Sequence, residues 1–175
     1  MIKMKNAKDT YLELNIEEEK LMVKNCYDNE FCEQLIKNDL IVNNSVNLLE
    51  GIYLIAIEKA MIDNEVGWGK ALELIDRYKI PLHIFLVYYD LRKRGRRVWI
   101  GPRDNTLISE THKLKKIEVF VLSEGSPITT NKIANWSELA VADSHIPIIA
   151  IVDKNGEITY YESRIYMLNS LSNDK

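Results

Sequence analysis

The sequence predicts an α+β or mixed α/β protein, a small N-terminal mixed domain followed by an α/β domain with a central mixed sheet flanked by helices. Three observations carry this. Stretches that alternate apolar and polar at period two are interleaved along the whole chain with stretches at helical period. Ile146-Pro147-Ile148-Ile149-Ala150-Ile151-Val152 is almost continuously apolar, as a strand covered on both faces is, with Pro147 tolerable only near its start. Between two helical stretches lies Asn64-Glu65-Val66-Gly67-Trp68-Gly69, whose glycines suit a break. The domain boundary is placed there, giving residues 1–66 and 67–175.

The individual elements follow in order. Tyr11 to Ile16 and Lys20 to Lys24 alternate as the two arms of a hairpin. Asp28 can cap a helix with Phe31, Cys32, Leu35, Ile36 and Leu40 at helical spacing, and a short strand at Leu40 to Val42 follows. Leu48 to Ala60 and Gly69 to Tyr78 read as two helices. Pro81 stands where a helix tolerates a missing N–H, and Ile84, Phe85, Tyr88 and Leu91 form the inward stripe until Gly95 stops it. Strands are expected at Arg97 to Ile100 and Ile117 to Leu122. A helix capped by Thr129 or Thr130 then runs through Ala142, with Ile133, Trp136, Leu139 and Ala140 inward. After the apolar strand, the Asn155-Gly156 step supplies the positive φ of a hairpin turn, and Glu157 to Tyr161 forms the last strand.

Composition excludes several classes. A net charge of −3 argues against a protein that holds nucleic acid by general attraction, because such binding draws on an excess of Lys and Arg; any RNA contact must be local or shared. No apolar run reaches the roughly 18 residues a membrane span needs, and the opening segment is not a signal-peptide core, so the expected location is the cytoplasm with no membrane partner. Cys26 and Cys32 have no second Cys pair and no nearby His with which to hold a metal, and read as reduced thiols. No metal site and no cofactor are expected.

Three stretches then resemble one family, the archaeal tRNA-splicing endonucleases. Leu48-Leu49-Glu50-Gly51-Ile52-Tyr53-Leu54 resembles the family's Leu-Glu-x-x-Tyr-Leu helix. Val87-Tyr88-Tyr89-Asp90-Leu91-Arg92-Lys93-Arg94-Gly95 is similar to its Tyr-x-Asp-Leu-Arg-x-Arg-Gly signature at every defined position. Ile149 to Tyr161 resembles its closing strand, acidic loop and aromatic strand. The resemblance covers residues 45 to 165.

The resemblance implies metal-free cleavage of RNA by a Tyr, a His and a Lys, in which the 2′-hydroxyl attacks the adjacent phosphate: a base removes the 2′ proton, an acid protonates the leaving oxygen and a cation stabilises the phosphorane. None of the three residues stands at its implied place. The Tyr is implied a few residues after Gly101, but there is no Tyr between Tyr89 and Tyr160. The His is implied at the start of the Ile117 strand, where Lys115 and Lys116 stand in register, with His112 slightly early. The Lys is implied five residues before Ala150, at His145. With the fold signatures kept and the triad absent, the chain resembles the structural subunit of a heterotetramer of two plus two, supporting and activating a catalytic paralogue that cuts precursor tRNA at bulge-helix-bulge sites.

The resemblance also implies a partner-subunit interface through the acidic loop and the last strand: Asp153, Lys154, Asn155, Gly156, Glu157, Ile158, Tyr160 and Tyr161. Lys154 dilutes the acidity of that loop. Arg92, Arg94, Arg96 and Arg97 are candidate RNA contacts, although cations at a helix C-terminus equally complement its dipole. Two alternatives stand beside this reading: a ribonuclease of its own using His112 and His145, with Glu110 nearby, or an RNA-binding scaffold outside any splicing complex.

Overall fold

The computed structural model of the chain describes residues 10–111 and 113–164. The chain divides into two compact units, Met1–Pro81 and Leu82–Lys175. The division falls beyond the boundary expected near residue 66, because the helix after Gly67 packs against the helix that begins at Leu48 and so stays with the first unit.

In the first unit, β1 (Leu12–Glu17) and β2 (Lys20–Cys26) form the expected hairpin, with Glu18 and Glu19 at positive φ in its turn. Helix α1 (Asn29–Lys37) is capped by Asp28, whose carboxylate accepts the Phe31 N–H at 2.9 Å. That cap curls the first helical turn back over the end of β2. Cys26 and Cys32 consequently lie with Cα atoms 6.6 Å apart and form a disulfide, which overturns the expectation of two reduced thiols. β3 (Ile41–Val42), β4 (Ser45–Val46), α2 (Leu48–Ala56), β5 (Ala60–Ile62) and α3 (Trp68–Arg77) complete the unit, and its sheet runs β3-β4-β2-β1-β5. The helix predicted to reach Ala60 ends at Ala56, and the remainder becomes a buried strand parallel to β1. Gly51 lets α2 approach β2, since a Cβ there would fall 2.5 Å from Leu21.

The second unit opens with α4 (Leu82–Lys93). Gly95 at φ +76° ends this helix in a Schellman arrangement, its N–H bonding the Arg92 carbonyl and the Arg96 N–H the Leu91 carbonyl. The unit continues through β6 (Val98–Ile100), β7 (Thr106–Glu110), β8 (Lys116–Ser123), α5 (Thr130–Ala142), β9 (Ile146–Val152) and β10 (Ile158–Glu162). Its five strands are ordered β10-β9-β8-β7-β6, with β8 and β9 parallel across the α5 crossover and every other pair antiparallel. Helix α4 contacts β6, β7, β8 and β9, and α5 contacts β9. Strands β8 and β9 are thus covered on two faces, which is why both read as near-continuous apolar runs. Phe120, Trp136 and Ala140 form the cluster under α5, with the Phe120 and Trp136 rings stacked at 5.1 Å. Leu139, expected inward, is 52% exposed.

Candidate functional site

The segment after Gly101, where periodicity predicts no element, contains strand β7. Gly101 makes its entry: a Cβ would meet the Thr106 hydroxyl at 2.1 Å and the Thr106 backbone carbon at 2.8 Å. The Thr106 hydroxyl donates to the Arg103 carbonyl at 2.6 Å and accepts the Arg103 N–H at 3.2 Å, so the loop closes on itself. Its geometry aims the Arg103 side chain at β8.

There it meets Glu118, the one acidic residue in the run Ile117 to Leu122, with none of its surface exposed. A carboxylate in that setting needs several donors to offset lost hydration. Arg103 Nη1 donates to both Glu118 oxygens at 2.8 and 2.7 Å, the Trp136 indole N–H donates at 2.8 Å, and His145 Nδ1 lies 3.0 Å from Oε2. Arg103 Nη2 also donates to Asp143 at 2.5 Å, and the two carboxylates hold the guanidinium firmly protonated, Asp143 first and Glu118 second. Five residues from the β6–β7 loop, β8, α5 and the α5–β9 turn are thereby tied together.

The cluster joins the places to which the resemblance assigned the Tyr and the Lys, and it lies beside the place of the His. The loop after Gly101 offers Arg103, the turn before β9 offers His145, and Glu118 follows two residues after Lys116, which is itself exposed at the first position of β8. His112 lies outside the described residues. Glu110, proposed as its companion, faces Arg97 at 3.9 Å. The carboxylates of Glu118 and Asp143 and the His145 ring offer ligand atoms within 4.8 Å of one another. The Arg103 guanidinium already lies against both carboxylates and supplies the positive charge a metal ion would bring.

The remaining candidate residues lie apart. Asp153 Oδ1 accepts the N–H groups of Asn155 and Glu157, both at 2.8 Å, so this carboxylate shapes the β9–β10 turn. Lys154 and Glu157 are exposed around it, and Gly156 sits at φ +81°. Ile158 and Tyr160 are half-buried and Tyr161 is exposed, as strand alternation requires. The Tyr160 hydroxyl donates to Asp90 at 2.7 Å, and burial with that bond drives its pKa far up. Arg92 Nη1 donates to the Arg96 carbonyl at 2.8 Å and Arg94 pairs with Asp90 at 2.8 Å, so both have intramolecular duties. Sequence reasoning missed Arg103, Glu118, Trp136 and Asp143. The one available signal was Glu118 itself, a charge in an otherwise apolar strand.

Residues 82–160 match the model of the tRNA intron endonuclease catalytic C-terminal domain. The chain is 29% identical over 132 residues to a tRNA-splicing endonuclease of Methanococcus vannielii and, likewise, to one of Methanococcus maripaludis, covering 67% of this chain and 72% of each relative. It is 29% identical over 128 residues to a tRNA-splicing endonuclease of Methanococcoides burtonii, covering 67% of this chain and 36% of that relative.

Proposed function

We propose, from the tRNA-splicing endonuclease family that these comparisons support, that this chain serves intron removal from precursor tRNA as the structural subunit beside a catalytic paralogue. The observation that carries the reading is the Arg103–Glu118–His145 cluster. Transesterification at a phosphate needs a base free to take the 2′ proton, an acid for the leaving oxygen and a cation free to meet the phosphorane. Here the cation lies between two carboxylates and the imidazole has one nitrogen on a buried carboxylate. The same segments are fastened to one another instead of being presented to a substrate.

The reading carries with it a heterotetramer of two plus two in the cytoplasm, assembled through the Asp153–Glu157 loop and the exposed side of β10, where Tyr161 stands outward. Among the described residues no helix is long and apolar enough to cross a membrane. The test is cleavage of a bulge-helix-bulge RNA by the purified protein, alone and mixed with a family member that retains Tyr, His and Lys. Silence alone and cutting gained or enhanced in the mixture is the expected result; robust cutting alone would overturn it.

A second reading has one observation in its favour, the Glu118–His145 pair, since a carboxylate that orients an imidazole is a recurring general-base arrangement. It requires His145→Ala to abolish cleavage by the isolated chain.

A further inference from the structure

On the other face of the same sheet edge, beyond the C-terminal end of α4, the second unit holds a pocket of about 370 Å³. Its floor is aliphatic, made by Leu91, Ile117, Ile146 and Ile148, and its walls are Tyr160, Thr111, Arg94 and Arg96. The Tyr160 ring is anchored by its bond to Asp90, and the same carboxylate holds Arg94, whose guanidinium lies 5.8 Å from the Tyr160 ring centroid. The pocket is therefore walled on one side by a fixed aromatic–guanidinium pair.

Its rim is strongly positive in a chain whose net charge is −3. The sheet register brings Arg97 beside the end of β7 and sets Lys116 opposite Glu110, while Lys113 and Lys115 project from the turn closed by the Thr111–Lys115 backbone bond. With Lys93, Arg94 and Arg96 from the end of α4, seven cations gather at this edge. The acids among them are Asp90, bound to Arg94 and Tyr160, and Glu110, near Arg97; Glu162 on β10 is paired with Arg164 at 3.0 Å. Among the described residues the side chains of Arg96, Lys113, Lys115 and Lys116 have no hydrogen-bond or ion-pair partner, and the three lysines are exposed.

We infer that this pocket and its rim form a subsite for one unstacked nucleotide of a single-stranded RNA segment. The base lies on the aliphatic floor against the Tyr160–Arg94 pair, and the flanking phosphates meet Arg96 and the lysine turn. Base stacking on an aromatic wall within a cationic groove is the chemistry of single-strand recognition. An acidic peptide would satisfy the nearest cations but would leave the row extending to Lys113, Lys115 and Lys116 without a role, and this favours a polyanionic strand. The subsite deepens the proposed function, resting on it for the class of nucleic acid; of the four arginines at the α4 terminus it uses Arg94 and Arg96, and it adds the lysines.

The test is fluorescence anisotropy of the full-length protein with a labelled ten-residue oligoadenylate, with inorganic polyphosphate of similar length as a probe of charge alone. Arg96→Glu and the double change Lys115→Glu, Lys116→Glu should each weaken oligoadenylate binding by about tenfold and flatten its salt dependence, each lost phosphate contact removing about 0.7 from the log–log slope. Thr111→Trp, which fills the pocket, should weaken oligoadenylate and leave polyphosphate unchanged, with circular dichroism confirming that the variant is folded. Oligoadenylate affinity indifferent to Arg96→Glu overturns the inference, as does a folded Thr111→Trp variant that binds both probes like the parent, or an acidic aliphatic peptide bound where oligoadenylate is not. Cleavage gained in the mixed assay, together with any of those results, would remove the subsite and leave the structural-subunit reading standing.

Discussion

Replacing Glu118 tests whether the buried cluster holds the second unit together. The carboxylate has no exposed surface and receives Arg103 on both oxygens, Trp136 on Oε1 and His145 on Oε2. Glu118→Ala removes all of these at once. Breaking a buried ion pair by deleting one partner costs about 3–5 kcal/mol, and an orphaned buried donor such as the Trp136 N–H costs about 1–3 kcal/mol by itself. Relief comes from Arg103, whose side chain is 23% exposed and retains Asp143, so the lower part of the range applies. The expected loss is about 3–4 kcal/mol, or a fall in Tm of about 10 °C for a chain of this size. Urea denaturation followed by far-ultraviolet circular dichroism measures it, and a double-mutant cycle of Glu118→Gln with Arg103→Met isolates the pair. A Glu118→Ala variant within about 0.5 kcal/mol of the parent would refute the claim that the cluster is a structural tie.

Three further outcomes are expected. Gly101→Ala forces a Cβ into Thr106 backbone and side chain, and should cost about 1–3 kcal/mol in a thermal melt. Reduction of Cys26–Cys32 should destabilise the protein by about 2 kcal/mol, read as a lower Tm with reductant that a Cys26→Ser, Cys32→Ser variant does not show. Glu13 accepts from Lys24, Asn25 and Tyr27, which lowers its pKa from 4.5 to about 2. A depressed folded-state pKa gives stability that is fully present above pH 4.5 and lost as the pH falls toward 2, so the urea midpoints of the parent and Glu13→Gln should differ at pH 6 and converge near pH 2.

Periodicity alone predicted the mixed fold class, the hairpin, α1, α4, α5, β9 and β10, because each carries its own apolar spacing and its own cap or turn residue. The apolar run from Ile146 declared its double burial, and Asn155-Gly156 declared its turn. Short strands escaped. β5 continued the apolar run of α2, and β7 lay in Thr106 to Glu110, a five-residue segment that only its pairing with β6 and β8 makes a strand. The Cys26–Cys32 bond depended on how Asp28 turns the chain, which spacing does not encode.

The sequence determined by itself that three stretches resemble signatures of the tRNA-splicing endonucleases and that a Tyr, a His and a Lys do not stand at the places this resemblance implies, since identity at a position needs no folding to be read. It could not show what took their place. Arg103, Glu118, Trp136, Asp143 and His145 span forty-three positions and meet only because a loop closed by Thr106, a parallel β8–β9 pair and the α5 crossover bring their side chains to one point. The tertiary structure decided that Glu118 is charge-paired, for a carboxylate is buried only where several donors converge, and that convergence is long-range.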